Sequence, residues 1–168
     1  MNRHLIKAGR VAVQTLVALA LTLLVAGTVA AGPERISVLI GSRHVGATGF
    51  EEINPGLFAT WDNAFEAFGQ PIGLNLGVFR NSYGRPGMAA TASLPILRRG
   101  SFDLDLFAGT ALYPVDGRRF AVHVGDFVPI AGLQARWGNG FVQVIPSDGK
   151  PVKAIVSFGL TFKLDKNR

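Results

Sequence analysis

Beyond Pro33, apolar and polar residues alternate along most of the chain. In FDLDLFAG, Phe102, Leu104, Leu106 and Ala108 oppose Asp103 and Asp105. In KAIVSFGLTFKL, Ala154, Val156, Phe158, Leu160, Phe162 and Leu164 oppose Ser157, Gly159, Thr161 and Lys163. A period of two marks extended strands whose two faces meet different surroundings. Turn residues bound such runs, and the pattern predicts strands over 35–46, 55–66, 71–80, 87–97, 101–112, 127–137, 140–146 and 153–164. The nearest thing to helical periodicity, NAFEAF at 63–68, is too short to form a helix on its own. Eight strands without a helix predict an all-β fold, either an antiparallel up-and-down barrel or a sandwich.

The polar faces bear on which solvent the apolar faces meet. A water-facing surface normally carries many Lys and Glu. Here it is Asn75, Gly77, Thr91, Ser93, Gln134, Gln143, Ser157, Gly159 and Thr161, with few charges beyond Asp103, Asp105 and Arg136. Small and amide side chains suit the lumen of a narrow barrel, with Arg136 neutralising an aspartate. The apolar faces are then expected to meet lipid, on strands of about the 9–11 residues that cross a bilayer. Phe58, Trp61, Phe79, Tyr83, Tyr113, Phe127, Trp137 and Phe141 lie near strand ends and are expected to form interfacial girdles. With the first strand starting on the periplasmic side, the turns near 67–70, 98–100 and 138–139 are short. The opposite connections, SRHVGATGFEEIN and PVDGRRFAVHVGDF among them, are longer, as in outer-membrane barrels.

The first 31 residues read differently. Arg3, Lys7 and Arg10 precede an uncharged apolar run, VAVQTLVALALTLLVAG, and the small residues of TVAAG follow. This is the order of a secretory signal peptide, with cleavage expected after Ala31; an uncleaved membrane anchor is the competing reading. The domain expectation is a signal peptide over 1–31 and one barrel domain over 32–168. Removing the signal takes three of the 17 basic residues and none of the 11 acidic ones, leaving a net charge of about +3. No basic run interleaved with aromatics points to nucleic acid. The chain has no cysteine and three histidines, one of them in the signal, so neither a disulfide framework nor a metal site is expected.

Candidate chemistry gathers in the outer loops. RNSY (Arg80, Asn81, Ser82, Tyr83) follows the third strand, on the same side as His44 in the first outer loop, and the third outer loop adds Arg118, Arg119 and His123. A serine hydroxyl becomes a useful nucleophile or acyl acceptor when a base takes its proton, and histidine is the usual base near neutral pH. Asn81 is placed to orient either partner or an ester carbonyl. The arginines suit the phosphates of lipid headgroups. Polar loop residues that merely bond one another and solvent explain the same cluster.

FVPIAGLQARWGNGFVQVIPSDG, covering strands six and seven, resembles the corresponding hairpin of the lipid A palmitoyltransferase (PagP) family of eight-stranded outer-membrane barrels. The likeness lies in Pro129 followed by Ala131, the Gly-rich turn, and VIP ending at Pro146. VFRNSYGR is similar to the family's second-loop segment, where an Asp-Ser pair follows a strand, and His44 falls in the loop where the family keeps its essential histidine. The resemblance implies that the paired prolines interrupt the ladder and open a lateral route for lipid, since proline donates no backbone hydrogen bond. Asn81 stands where the family has aspartate, and GPERISVLIG leaves no room for the amphipathic helix that precedes the family's barrel.

The expectation is therefore an eight-stranded transmembrane barrel of the bacterial outer membrane. It would transfer an acyl group from phospholipid to lipid A, or catalyse a related acyl-ester reaction. His44, Ser82 and Asn81 would act at the site, and Arg80, Tyr83, Arg118, Arg119, Pro129 and Pro146 would bind substrate. The acyl chain is expected to lie between small lumen residues such as Gly77, Ser93 and Gly159. No cofactor is expected; the partners are membrane lipids, phospholipid and lipopolysaccharide, met by a monomer. Two alternatives stay open: a non-catalytic barrel with a structural or surface-interaction role, and a soluble exported barrel that carries a hydrophobic ligand.

Overall fold

A computed structural model describes residues 32–147 and 151–164; the signal-peptide expectation over 1–31 lies outside the described residues. Eight strands follow one another: β1 (Arg35–Val45), β2 (Ile53–Ala67), β3 (Gln70–Arg80), β4 (Pro86–Arg99), β5 (Phe102–Leu112), β6 (Phe127–Trp137), β7 (Gly140–Pro146) and β8 (Ala154–Lys163). Each pairs antiparallel with its neighbours in sequence, and β1 pairs with β8 to close an up-and-down barrel. The only described helical element is a short 3₁₀ turn at Gly117–Arg119. The predicted strands agree with these to within about three residues at their ends.

One end of the barrel is closed by tight turns at 68–69, 100–101 and 138–139. Gly100 and Gly138 open their turns at φ 60° and 56°, the backbone that a type II′ hairpin needs at its first central residue. At the first turn the left-handed pair is Phe68 and Gly69, φ 54° and 69°, with the Phe68 ring wholly exposed. The other end carries the longer connections 46–52, 81–85, 113–126 and 147–153.

Alternation sorts the two faces. Val38, Leu57, Val78, Leu106, Leu133 and Phe158 point outward and stay exposed, whereas Thr60, Thr91, Asp105, Arg136, Ser157 and Thr161 are buried inside. The outer wall is thus apolar around the whole circumference. The girdle expectation is corrected for most of its residues. Trp61 is buried, Tyr113 and Phe141 are buried against the lumen's cavity, and Phe58 and Phe79 border it; Phe127 and Trp137 do face outward. The cause is cross-strand shape: Gly77 sits opposite Phe58, and a Cβ there would collide with that ring, so the glycine is what lets the ring lie flat inside. Phe141 lies over Gly159 in the same way.

The lower lumen, near the tight turns, is filled by charge. Asp105 is 1 % exposed and accepts hydrogen bonds from both Arg98 and Arg136. Arg136 also reaches Asp62 (3.5 Å) and Asp103 (3.8 Å), and Arg35 pairs with Asp62 at 3.3 Å. Buried charges persist only when paired in this way. Above this floor comes a layer of neutral pairs, Ser37 to Thr161, Thr60 to Asn75 and Gln143 to Gln134.

Candidate functional site

From this polar layer a cavity of about 330 Å³ runs up to the outer loops. Its walls include Leu39, Phe58, Phe79, Phe107, Ala111, Val128, Ile130 and Phe141, with Ser42, Asn54, Thr91 and Ser157 between them, so the chamber has an aromatic-rich apolar part set among neutral polar groups. Gly77, Ser93 and Gly159, the small residues expected to flank a bound chain, do not border it. Their places are covered: by Phe58 over Gly77 and Phe141 over Gly159, while Ser93 packs against Gly73.

The chamber meets a break in the barrel wall. The β5–β6 ladder runs the full length of both strands, Phe102–Leu112 against Phe127–Trp137. The β6–β7 ladder stops after Leu133↔Val144, although β7 continues on β8 as far as Pro146. Residues 127–132 of β6 therefore have no ladder partner in β7. Gly132 marks the end of contact, because a Cβ there would strike the Val144 carbonyl. Pro129, on β6, and Pro146, at the end of β7, flank the break, are exposed on the outside and border the cavity within. Each lacks the N–H that would extend a ladder.

His44 reaches the cavity through a defect in β1. In an unbroken strand His44 would share the outward face of Ile36, Val38 and Ile40. Leu39 pairs with Gly159, however, and Gly41 with the next residue, Phe158, leaving Ile40 unopposed as a β-bulge. The extra residue changes the parity of the strand, so Ser42 and His44 face the lumen as Arg35, Ser37 and Leu39 do. Gly41 permits the local fold: its missing Cβ would stand 2.5 Å from the Glu52 carbonyl oxygen, which accepts the Ser42 N–H at 2.9 Å.

The first outer loop then folds over the second. The Glu51 N–H donates to the Ser82 carbonyl at 3.0 Å, and the Glu51 carboxylate lies 3.6 Å from Arg80. This docking lays Phe50 against His44, with centroids 4.2 Å apart, and within 5.9 Å of Tyr83. Tyr83 contacts Phe120, Phe120 contacts Tyr113, and Tyr113 contacts Phe79, so rings run continuously from the imidazole to the chamber wall. His44 Nδ1 is buried without a hydrogen-bond partner, and stacking is what holds the ring.

Asn81 organises the second loop. It is 1 % exposed, and its Oδ1 accepts the N–H of Tyr83 (2.9 Å) and of Arg85 (3.0 Å). Its own N–H and C=O are bonded to Arg85 and Gly84. This is an Asx turn, for which Asn and Asp are both suited. The third loop is fastened to the second by Asp116, wholly buried, which binds Arg85 at 2.9 Å and Arg119 at 3.0 Å. Arg119 in turn lies 4.7 Å above the Tyr83 ring. Burial raises the Tyr83 phenol's pKa, opposed by Arg119 and helped by Asp116; at Tyr113 burial, with Tyr83 nearby, pushes it up to about 12.

Of the residues expected to act on the acyl group or bind its headgroup, all border this cavity except Arg118, which is exposed on the 3₁₀ turn. Arg119, beside it, is the one turned inward. His123 stays at the surface, its Nδ1 2.9 Å from the Phe120 carbonyl. Phe50, Phe120 and Asp116 were not foreseen; a loop Phe directly followed by two glutamates carries no signal of its partner. Among the described residues no group of His, Cys, Asp and Glu is arranged to hold a metal. Comparison with known protein families and with functionally characterised proteins finds no match to this sequence.

Proposed function

We propose that this chain is an outer-membrane enzyme that moves an acyl group from a phospholipid to lipid A, or carries out a related acyl-ester reaction. The observation that carries the reading is the join of three features. An aromatic-rich chamber ends at the break between β6 and β7 on one side and at His44 and Ser82 above.

The continuous apolar outer wall supports a membrane setting, since such a surface is stable against hydrocarbon and prone to association in water. It also argues against a soluble carrier, whose apolar faces would turn inward. An acyl chain fits the apolar part of that chamber, and a lipid reaches it from the side only where the wall is unpaired. In the reaction the donor's acyl C–O bond breaks and a new ester C–O bond forms. Ser82 Oγ, its proton taken by His44, attacks the acyl carbonyl, and His44 gives that proton to the departing lyso-lipid oxygen; the acceptor hydroxyl then displaces Ser82, its proton returning through His44 to Oγ. Arg80 and Arg119, at the rim, are the groups for an anionic headgroup.

Mass spectrometry of lipid A and phospholipids from cells expressing wild type, Ser82→Ala or His44→Ala tests this. An acyl change seen with wild type and absent from both variants is expected. Spectra unchanged by the folded wild type overturn the reading. They favour the non-catalytic barrel, which has one observation on its side: no described carboxylate is hydrogen-bonded to His44 Nδ1.

A further inference from the structure

A continuous line of polar side chains climbs the inner face of the wall. Asp105 stands opposite Gln134, Gln134 opposite Gln143, Gln143 opposite Ser157, and Ser157 opposite Ser42. The line starts in the charged floor and ends on β1, two residues short of His44. Most of its members are already partnered. Asp105 binds Arg98 and Arg136, Gln143 Nε2 donates to Gln134 Oε1 at 2.6 Å, and the Ser42 hydroxyl donates to Asn54 Oδ1 at 2.6 Å. Ser157 is different. It borders the cavity and is 7 % exposed, and among the described residues its hydroxyl has no hydrogen-bond partner. Nor is that oxygen sealed in protein, as the unpartnered Trp61 nitrogen is, so it opens on the chamber. Thr91, on β4, borders the cavity with its hydroxyl in the same state. A plain alkyl chain lying here would cover both hydroxyls and offer them nothing to bond.

Building on the acyl-transfer reading of the site, we infer that the chain held in the lumen carries a hydroxyl along its length. Ser157 binds that hydroxyl, and Thr91 is the second group able to do so. A hydroxyl both donates and accepts, so it pairs with a serine or threonine in either sense. The place of Ser157 sets where on the chain the group lies. His44 pairs with Ile155, whereas Ser157 pairs with Ser42, two residues and about 7 Å further down the strand. The hydroxyl therefore belongs to the body of the chain and not to the carbons beside the ester. Leu39, Phe107 and Phe141, on the same chamber's walls, suit the methylenes. A pocket that bonds a hydroxyl discriminates against the same chain without it, because its own polar group is then left unpaired.

The probes are two phosphatidylcholines of equal chain length, one with a mid-chain hydroxyl on each acyl chain and one plain. Their binding to a Ser82→Ala protein, which leaves the ester intact, is measured in micelles and referred to partition into empty micelles. A preference of roughly tenfold for the hydroxylated lipid is expected. It disappears in a chain that also carries Ser157→Ala and Thr91→Val, and it survives in Ser157→Thr, which keeps a hydroxyl. Equal binding of the two lipids, or a preference that persists without both lumen hydroxyls, overturns the inference. Should the doubly substituted lumen fail to fold, the preference of the unsubstituted lumen over empty micelles decides alone. Lipid acyl transfer by the wild type without hydroxyl preference overturns only the choice of chain. A preference that depends on Ser157 and Thr91 in a protein inert toward every lipid upholds the binding site and overturns the acyl-transfer reading.

Discussion

Phe50 lies flat against His44, the two ring planes within 14° of parallel. Because His44 Nδ1 has no hydrogen-bond partner, this stack is the main constraint on the imidazole. Phe50→Ala is expected to leave the barrel folded, since Phe50 belongs to an outer loop, and to lower acyl turnover about tenfold by loosening the base. Phe50→Tyr keeps the stack and most of the activity. Turnover of the two variants, measured beside heat-modifiable gel mobility as the index of folding, checks this.

The bulge at Ile40 makes an unusual deletion tolerable. Against β8, Ile40 is the residue without an opposite number, so removing it leaves Leu39↔Gly159 followed directly by Gly41↔Phe158, while on the β2 side the existing irregularity between Gly56 and Ile53 takes up Asn54 and Pro55. His44 stays inside. Deleting Ala108 from β5, which pairs regularly with β6 throughout, instead turns one half of that strand inside out. The Ile40 deletion is expected to fold and retain activity, and the Ala108 deletion to fail to fold; outer-membrane recovery and lipid analysis distinguish them.

Asp105 bridges Arg98 and Arg136 in the lumen floor. Asp105→Ala takes the shortest-range partner from the buried Arg136 guanidinium, leaving the longer contacts to Asp62 and Asp103, and a loss of about 3 kcal/mol in unfolding free energy is expected. Arg43→Ala, which breaks the exposed pair with Glu52, is expected to change stability by less than about 1 kcal/mol. Urea unfolding in detergent or lipid supplies both values.

The chain has two tyrosines, Tyr83 and Tyr113, so the tyrosinate absorbance of the folded protein reports on these alone. Both are expected to ionise above the usual value of about 10, Tyr113 only near pH 12. A phenol whose pKa is raised by folding holds its proton more tightly when folded. Its contribution to stability is complete below the unfolded value and is lost as pH climbs through the folded one. Stability should therefore fall between about pH 10 and 12 in wild type, and less so in Tyr113→Phe. A normal titration of both phenols would contradict the buried aromatic packing.

Strand number, strand limits and the two-sided pattern were legible because each depends on residues close in sequence. So was the pairing of Arg136 with an aspartate, a matter of charges that have nowhere else to go. The direction of individual aromatics was not. Phe58 and Phe141 lie inside because Gly77 and Gly159 happen to sit across from them, and that register belongs to neighbouring strands. His44 was assigned to a loop when it is the penultimate residue of β1, turned inward by a single unopposed residue that no alternation count reveals. Arg118 and Arg119 are indistinguishable in sequence; the 3₁₀ turn sends one to solvent and the other to Tyr83.

In the membrane setting proposed above, the floor of three arginines and three aspartates has a consequence for the barrier that the barrel would cross. It shuts the lower lumen with paired charge, leaving a vessel open at the loops and at its side but sealed at the base. A bilayer containing many copies would keep its electrical resistance. The protein could house an oily guest in its upper half while letting neither ions nor nutrients leak through.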